Sequence, residues 1–565
     1  MSRNKFAKTA SILMAMVLAT SVLASCSEDG ASSTASTTES NTTSTSGTES
    51  SSDSSTAVNP LRSDERRTLK VELFDRGISE NGETCDNNYL TDYMRESFGE
   101  YANADIEFVL VPRSEEVDKL NVLMASKSAP DVCFTYNRDL VFQYATQGGL
   151  AALDEWYDQC PNLQAKLGDV VDYGKCNGEL ISIVGQRKHT ANHVTVIRQD
   201  WLDACGLDAP TTREEWYNAM KTFKEQDPGN LGEKNYPFLI KSKPSEIHTI
   251  LWSFVDPNMT EEQDFTLPYM MLPGWKDGMQ FLNQMYNEGL INPEFALDQN
   301  DTMYKQAVST GAWGSSRSLT ANLITSDEAK TMYKNVPESD VTVIDPFENA
   351  EGKHLKNIYP DYSMFNIVPS FSEVPDLAMQ YFEWQAQPEV ATMMINGVEG
   401  VHWQYSEDGL RLSIPTEDRP DEWKTRRTWG GIDFYILDAH PENTYENEAK
   451  LRVYNAGATW LSIDKQPDPD RAAEVVKDYQ AAMDNSLVDG FVDLREFPNY
   501  EEPMDSVSKY QVNLNKIYED GYVKIITAPA DQFEATYQQI LDQYLQAGGQ
   551  AIIDEKTAYY NEHMK

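Results

Sequence analysis

The stretch that decides the fold opens at residues 68–74 with TLKVELF, where apolar and polar side chains alternate as in a strand. A helical pattern follows over 88–98, then the apolar run IEFVLV at 106–111, and then a second helical pattern over 114–126. The sequence APDVCF at 129–134 reads as a turn into a third strand. This alternation of strands and helices predicts βαβ units, and therefore an α/β fold built on a parallel sheet.

Polar side chains stand where two of these strands end. Asp75 and Arg76 follow the first strand, and Tyr136 and Asn137 follow the third. Ligands of open α/β sheets bind beyond the carboxyl ends of the strands, so these four residues are candidate ligand contacts. A solvated turn is the alternative at each position.

The rest of the chain is also α/β. Thr212 can cap a helix with Glu215 as its capping-box partner, and no repeat that would indicate a solenoid or a propeller is visible. We expect further elements at these positions: a strand at 194–197 and helices at 275–288, 377–387 and 532–545, the last ended by Gly548 and Gly549.

The charge balance excludes several classes of protein. The 565 residues include 47 Lys and Arg against 90 Asp and Glu, which gives a formal net charge of −43. Such a surface repels nucleic acid and anionic membrane surfaces alike. The length allows about three to five domains or one large two-lobed body.

The N-terminus has the three regions of a signal peptide. Arg3, Lys5 and Lys8 precede a short apolar run at 10–22, which ends in Leu-Ala-Ser-Cys at Cys26. This ending resembles a bacterial lipobox, in which the cysteine is diacylated and becomes the new N-terminus, so that two acyl chains anchor the protein. An ordinary secretory signal is the alternative.

Cleavage before Cys26 removes residues 1–25, with three positive charges and no negative charge, so the mature net charge is −46. Residues 26–66 are rich in Ser and Thr and cannot form a core. We interpret them as a flexible tether, with a glycosylated stalk as the alternative.

Five cysteines follow Cys26, and none of them forms a C-x-x-C pair. The odd number leaves at least one thiol unpaired, and the sequence leaves open whether any disulfide forms. The five are Cys85, Cys133, Cys160, Cys176 and Cys205.

Several segments taken together resemble the extracellular solute-binding lipoproteins of ABC transporters, of the carbohydrate-type, LipO-like group (family 1). Their order and spacing carry the resemblance, and the block IRQDWLDACGL–PTT is the most telling. The segments are the lipobox, LMAS–APDV at 123–132, the block at 197–212, FLN–YNEGLINPEF at 281–295 and NGVEGVHW at 396–403.

The resemblance implies two α/β lobes joined by hinge strands, the type II periplasmic-binding-protein-like fold, with a carbohydrate in the cleft between them. It also implies a monomer without catalytic activity that delivers its ligand to ABC permease subunits and is held to the extracellular face of the membrane by lipid alone. We place one lobe at 67–188 and 358–400 and the other at 189–357 and 401–565. A peptide receptor of the same fold and a surface glycoside hydrolase are the alternatives.

Sugar clefts need flat apolar faces for the sugar rings, together with planar polar groups. Trp313 lies between Gly and Ser residues, in what we expect to be a loop, and Trp403 and Trp429 stand beside glycines. These three and Trp252, although it lies in an apolar run, are candidate ligand contacts. Arg187 is another, because it precedes the expected crossing between the lobes.

Cofactors are not expected. Related proteins often carry a calcium loop after the helix that starts near Thr212, but residues 227–235 have Gly and Leu at two ligand positions, so calcium is disfavoured. His189 and His193 lack the intervening Glu of a zinc helix, so no metal site is expected there either.

Overall fold

The computed structural model describes residues 59–187, 190, 192–298, 300–319, 322–405, 411–414, 416–429, 433–438, 469–497 and 503–565. They belong to one unit, Asn59–Lys565. The strands are β1 (Arg67–Asp75), β2 (Ser79–Glu80), β3 (Glu83–Thr84), β4 (Ala104–Pro112), β5 (Cys133–Thr135), β6 (Lys175–Cys176), β7 (Glu179–Leu180), β8 (Ile183–Gln186), β9 (His193–Arg198), β10 (Tyr236–Leu239), β11 (Trp313–Leu319), β12 (Val341–Ile344), β13 (Lys356–Asn357), β14 (Tyr362–Ile367), β15 (Trp403–Tyr405), β16 (Arg411–Ser413) and β17 (Gly490–Phe491).

The α-helices are α1 (Tyr89–Ala102), α2 (Glu116–Ala125), α3 (Arg138–Thr146), α4 (Asp154–Tyr157), α5 (Pro161–Leu167), α6 (Gln199–Cys205), α7 (Arg213–Gln226), α8 (His248–Trp252), α9 (Glu261–Thr266), α10 (Trp275–Asn287), α11 (Thr302–Thr310), α12 (Asn322–Thr325), α13 (Asp327–Asn335), α14 (Pro375–Gln385), α15 (Pro388–Asn396), α16 (Pro469–Leu487), α17 (Asp505–Thr527), α18 (Phe533–Tyr544) and α19 (Gln550–Tyr559).

The first lobe is built on a mixed sheet in the order β4-β1-β5-β14-β8. β4 pairs with β1 in parallel, and a parallel bridge between Val71 and Val132 joins β1 to the residue just before β5. β14 runs antiparallel to both β5 and β8. The predicted parallel sheet is therefore confirmed for the first three strands, and the antiparallel β14 enters it from far along the chain.

The second lobe contains a four-stranded sheet in the order β10-β11-β9-β12. β10 and β11 are parallel, whereas β9 is antiparallel to its neighbours β11 and β12. The carboxyl ends of β10, β11 and β12 therefore share one edge of the sheet with the beginning of β9.

In the described part of the chain, two segments cross between the lobes side by side. The amide N–H of Arg187 donates to the carbonyl of Asp361 at 2.6 Å, and the N–H of Tyr359 donates to the carbonyl of Thr190 at 2.9 Å. The first segment leads from β8 into β9, and the second leads from β12 back to β14. These backbone hydrogen bonds hold the two crossings together as a hinge.

Local signals placed most of the predicted elements correctly. Both capping-box hydrogen bonds of Thr212 and Glu215 are present at the start of α7, and Asn88 forms an equivalent box with Thr91 on α1. The prediction that the helix over 532–545 ends at the Gly pair needs a correction. The chain bends at Gly548, whose φ is +123°, and α19 follows almost at once.

Part of the chain beyond the predicted lobe boundary at residue 400 packs with residues of the first lobe. Trp429 and Phe434 lie in the apolar core of the first lobe rather than the second, among residues of β1 and α14. Gln385 Nε2 donates to the Phe434 carbonyl at 2.9 Å, and Asn366 Nδ2 donates to the Ile436 carbonyl at 2.9 Å. These hydrogen bonds attach residues 434–438 to the first lobe.

The five cysteine thiols of the described part are all unpaired. Four of them are buried, and Cys205 is half-buried. Among the described residues, none of the helices is long and apolar enough to cross a membrane.

The long helix α17 packs against α10 of the second lobe and against α3 of the first. At its C-terminal end, Asn283 Nδ2 lies 3.1, 3.0 and 2.7 Å from the carbonyl oxygens of Ile525, Ile526 and Ala528. Carbonyls in the last turn of a helix have no partner within the helix, so a buried amide from α10 satisfies them.

We expect Asn283→Ala to lower the free energy of unfolding by about 1–3 kcal/mol, because it leaves buried carbonyls without a donor. Urea unfolding followed by circular dichroism measures this loss. The matched control is Gln284→Ala at the next, exposed position, where a change within about 0.5 kcal/mol is expected. Equal effects of the two substitutions would contradict the role of Asn283.

Candidate functional site

The carboxyl edges of the two sheets are joined through the hinge. β8 ends at Gln186 and leads across to the start of β9, and β12 ends at Ile344 and leads back to the start of β14. Because β14 is antiparallel to β5 and β8, its start lies at their carboxyl edge. Both crossings therefore connect carboxyl edge to carboxyl edge, and the residues there form the candidate site.

The edge of the first lobe is lined by aromatic rings and arginines. Arg76 forms a bidentate pair with Asp433, and this hydrogen bonding raises the pKa of the guanidinium. Arg113 directly follows β4, and its guanidinium lies 5.1 Å from the ring centre of Tyr136. It also donates to Glu116 at 2.7 Å. These contacts hold an aromatic ring and planar polar groups at the ends of β1, β4 and β5.

The hinge supplies a second stacked pair. The Arg187 guanidinium lies 4.0 Å from the ring centre of Tyr359, and its Nη2 donates to Ser363 Oγ at 3.1 Å. Stacking and the hydrogen bond together set the plane of the guanidinium.

Glu496 lies beside this pair. Its side chain is exposed to solvent, although many protein atoms lie around it. Desolvation and then the nearby carboxylate of Asp493 raise the pKa of Glu496 to about 7, while the Asn357 amide and Arg187 oppose the rise. Glu496 is therefore a carboxyl group that can donate or accept a hydrogen bond near neutral pH.

The edge of the second lobe carries Lys241 and Arg317. Lys241 Nζ lies 3.1 Å from Glu246 Oε1 and 4.7 Å from the ring centre of Tyr304. Arg317 is 3 % exposed, and desolvation lowers the pKa of its guanidinium to about 10. Its three donor nitrogens bind Thr195 Oγ1, Thr249 Oγ1 and the Glu246 carbonyl at 2.7, 2.7 and 3.1 Å.

The structure brings the strand-end candidates of the sequence together at one edge. Asp75, Arg76, Tyr136 and Arg187 all lie at carboxyl ends of first-lobe strands. Asn137 lies there too, but its side-chain oxygen accepts the Leu140 N–H at 3.0 Å and caps α3. Likewise, a carboxylate oxygen of Asp75 accepts the Gly77 N–H at 2.8 Å in a turn. Ligand contact by these residues stays a prediction.

The four tryptophan candidates are all buried. Trp313 is the first residue of β11 and is fully buried in an apolar core, so its predicted place in a loop is wrong. Trp252 lies in the other core of the second lobe. Trp403 Nε1 donates to the Gly397 carbonyl and Trp429 Nε1 donates to Glu83 Oε2, each at 3.0 Å. In this conformation their rings pack against protein, and a role in binding remains a prediction.

Sequence reasoning missed Arg113, Tyr359, Glu496, Lys241 and Arg317. Arg113 carries the same signal as Arg76, since it directly follows a strand, and that rule could have found it. The others carry no local signal, because distant segments bring them to the hinge.

The suspected calcium loop binds its own backbone. Asp227 Oδ1 accepts the Leu231 N–H at 2.9 Å, and Oδ2 accepts the Gly232 N–H at 2.8 Å. Within the described ranges, no group of three or more His, Cys, Asp or Glu residues could hold a metal ion. His193 begins a buried strand and His189 lies outside the described residues, so neither expectation about metals is tested further.

Comparison with known proteins finds matches along most of the chain. A family model described as "Bacterial extracellular solute-binding protein" matches residues 87–392, more than half of the chain. Lipoprotein LipO of Bacillus subtilis is 22% identical over 458 residues, which cover 74% of this chain and 88% of that protein. The polygalacturonan/rhamnogalacturonan-binding protein YtcQ of the same organism is 21% identical over 467 residues, 80% of this chain and 85% of YtcQ.

Solved structures show the same fold. The alginate-binding protein AlgQ2, in a structure without calcium ion, aligns with a TM-score of 0.62 at 18% identity, over 89% of this chain and 100% of its own. The Streptococcus pneumoniae ABC-transporter substrate-binding protein FusA, in complex with kestose, aligns with a TM-score of 0.60 at 16% identity, over 88% and 99%. Two-lobed binding proteins are therefore the structural neighbours of this chain.

We expect Trp313→Ala to destabilise the fold by about 3–5 kcal/mol, because it empties a large buried volume. Calorimetric unfolding measures the loss. The protein that remains folded should keep its ligand affinity. A stable variant with weakened binding would instead show that Trp313 contacts the ligand.

Glu496 should make stability depend on pH. Its folded-state pKa of about 7 exceeds the ordinary 4.5, so its stabilising contribution is complete below pH 4.5 and is lost as pH rises through about 7. Glu496→Gln keeps a neutral side chain, so its stability relative to the unsubstituted protein should increase between about pH 4.5 and about pH 8. Urea unfolding at both pH values measures this difference, with exposed Glu422→Gln as the control. A pH-independent difference would show that Glu496 ionises normally.

Proposed function

Because the chain belongs to the bacterial extracellular solute-binding proteins, we propose that it is the substrate-binding protein of an ABC importer and that it captures an oligosaccharide between its lobes. The family and the similar solved structures are binding proteins and not enzymes. The oligosaccharide as the ligand of this chain is part of the proposal.

One observation carries the proposal. The carboxyl edges of the two sheets meet at the hinge. The first lobe and the hinge present arginines next to tyrosine rings, and the second lobe presents Lys241 next to Tyr304. Tyr136 and Tyr359 offer ring faces, while Arg187 and Glu496 offer hydrogen bonds to hydroxyl pairs. This combination of stacking and planar hydrogen bonding is what a sugar ring requires.

Closure follows from the position of these groups. A ligand that touches Tyr136 on the first lobe and Lys241 on the second gains contacts only when the lobes are close, so it shifts the population toward the closed form. The hinge residues Arg187 and Tyr359 lie between the two and contact the ligand in either form. The closed form would be the one that a permease recognises.

The N-terminal segments fit such a receptor. We propose that Cys26 carries the lipid anchor on the extracellular face of the membrane and that the Ser/Thr-rich residues 26–66 act as a tether. A monomer on a flexible tether can reach both free ligand and a permease in the same membrane. We propose no cofactor for binding, since the contacts above use side chains alone.

A ligand panel tests the function. Thermal unfolding is measured with neutral and acidic oligosaccharides and with short peptides, because a ligand at 100 times its Kd stabilises the fold by about 2.7 kcal/mol. We expect stabilisation by at least one oligosaccharide, no stabilisation by peptides, and recovery of the sugar unchanged. Stabilisation by peptides alone would establish a peptide receptor, and release of shorter sugars would establish a glycoside hydrolase.

The matched variants are Tyr136→Ala and Tyr286→Ala. Tyr136 lies at the first-lobe edge, so its removal should weaken the stabilisation by the sugar. Tyr286 is a half-buried tyrosine of α10 that lies on neither facing edge, so its removal should leave the ligand effect unchanged. Equal ligand effects in the two variants would contradict the proposed position of the site.

A further inference from the structure

The second lobe has a hollow of about 400 Å³ that shares no residue with the candidate site at the hinge. It is bounded by the first turns of α7, by α10 and by the loop that follows β12. Its volume falls within the range of about 300–1,000 Å³ that small-molecule sites occupy. The side chains that line it include Arg213, Glu214, Tyr217, Phe281, Glu348 and Asn349.

Arg213 lines the hollow with part of its hydrogen-bonding capacity unused. Its guanidinium lies 3.7 Å from the ring centre of Phe254, and Nη1 donates to the carbonyl and to the hydroxyl of Ser253 at 3.2 and 2.7 Å. Nε and Nη2 have no hydrogen-bond partner among the described residues, and neither atom is enclosed by protein. Two adjacent donors of a guanidinium in a fixed plane are therefore accessible to a ligand.

No acidic side chain of the described residues compensates the charge of Arg213. The residue is half-buried and forms no ion pair with any of their carboxylates, and desolvation is the cause that lowers the pKa of its guanidinium. Polar groups that lose contact with water gain free energy from new hydrogen-bond partners. A ligand that accepts hydrogen bonds from Nε and Nη2 would supply such partners.

Asn349 supplies a further donor to the hollow. The residue is 7 % exposed, and its Oδ1 accepts the N–H groups of Glu351 and Lys353 at 2.9 and 3.0 Å. These two hydrogen bonds fix which end of the amide faces the backbone of the loop. Nδ2 has no hydrogen bond to the described residues and is not enclosed by protein, although buried polar groups are normally paired. An acceptor on a ligand would satisfy it.

Aromatic rings contribute an apolar surface to the hollow. The ring centre of Phe281 lies 5.7 Å from that of Tyr217 and 5.6 Å from that of Phe254. Tyr217 is held in place by its hydroxyl, which donates to Glu288 Oε2 at 2.6 Å. Phe281 and Tyr217 are only half-buried, so part of each ring remains available to the flat face of a ligand.

Two carboxylates line the same hollow. Glu214 and Glu348 are exposed, and neither forms an ion pair with a basic side chain of the described residues. Their oxygens can accept hydrogen bonds from ligand hydroxyls. Because the lining has two acidic side chains and one basic side chain, it favours a neutral ligand over an anion.

We propose that this hollow is a second ligand site, which binds one neutral sugar residue. Arg213 Nε and Nη2 bind two adjacent hydroxyl oxygens, Asn349 Nδ2 binds a third, and the two glutamates accept hydrogen bonds from hydroxyl groups. The sugar ring lies against Phe281. A hydroxyl group both donates and accepts, so a single sugar residue uses the donors, the acceptors and the aromatic surface together.

The second site goes beyond the proposed function, because its lining residues belong to one lobe. Ligand binding between the lobes shifts the population toward the closed form, since the ligand touches both lobes. A site within the second lobe gains the same contacts in the open and in the closed form. We therefore expect the two sites to fill independently of each other.

Monosaccharides test the hollow, because it is proposed to hold a single sugar residue. Saturation-transfer NMR titrations are run with glucose, galactose, mannose and N-acetylglucosamine, and with galacturonate and a leucine dipeptide as an acidic and a peptide probe. We expect at least one neutral sugar to bind. Arg213→Gln should raise its Kd at least about tenfold, which corresponds to about 1.4 kcal/mol. Phe281→Leu, which removes the ring but keeps an apolar side chain, should also raise the Kd.

The matched control is Arg95→Gln on α1. Arg95 also lies over a phenylalanine ring, 4.8 Å from the centre of Phe108, but it belongs to the first lobe, so the Kd should not change. Glu348→Gln changes an exposed side chain and should weaken sugar binding while circular dichroism shows an intact fold. This variant keeps the proposal testable where Arg213→Gln fails to fold.

Tyr136→Ala separates the hollow from the cleft, and it should leave the Kd of the monosaccharide unchanged. Binding that Tyr136→Ala weakens and that Arg213→Gln and Glu348→Gln leave intact would place the sugar in the cleft. It would overturn the second site and leave the proposed function standing. Weakening by variants of both places would overturn the independence of the two sites.

The remaining outcomes concern the ligand. Binding of the dipeptide or of galacturonate without any neutral sugar would overturn the assignment of a neutral sugar to the hollow. Failure of every monosaccharide to bind would overturn the second site. The proposed function does not depend on these results, because thermal unfolding with oligosaccharides tests it separately.

Discussion

The paired crossing of two segments between the lobes governs the rest of the structure. The hydrogen bonds from the Arg187 and Tyr359 amides join the segments in register, and strand direction then places both carboxyl edges at the crossing. Because these two backbone hydrogen bonds connect the segments, we expect the hinge to bend as a pair and not as two independent linkers. The side chains of Arg187 and Tyr359, one from each segment, lie against each other, and in the proposed function they contact the ligand.

The charge balance of the whole chain differs from the charge balance at the facing edges of the two sheets. Over the whole chain, acidic residues outnumber basic ones by about two to one, and this excess favours dispersion in solution. At the facing edges, in contrast, three bases each pair with an acid: Arg76 with Asp433, Arg113 with Glu116, and Lys241 with Glu246. Net charge therefore indicates which large partners are excluded, whereas in the proposed function the side chains at the strand ends select the ligand.

Local pattern was sufficient for several strands and helices and insufficient for the site. Alternation and capping boxes placed β1, α1 and α7, because those signals lie within a few residues of each other. The prediction of a loop at Trp313 was wrong because the flanking Gly and Ser residues suggested one. The burial of Trp313 in the second lobe depends on strands that are distant in the sequence. The return of residues 434–438 to the first lobe and the meeting of Tyr359 with Glu496 depend on tertiary contacts, which no short pattern encodes.

The unpaired cysteines affect how the protein is damaged by oxidation outside the cell. Four of the five, all except Cys205, belong to the cores of the first lobe. Burial raises the pKa of Cys85 and of Cys160 to about 12, so their thiols remain protonated and poorly nucleophilic while the lobe is intact. No disulfide holds the described fold together, so folding needs no oxidant. Cysteine oxidation then reports local unfolding of the first lobe. The thiols of this lobe are chemically inert while its core is packed, and they become vulnerable to oxidation once the core is exposed.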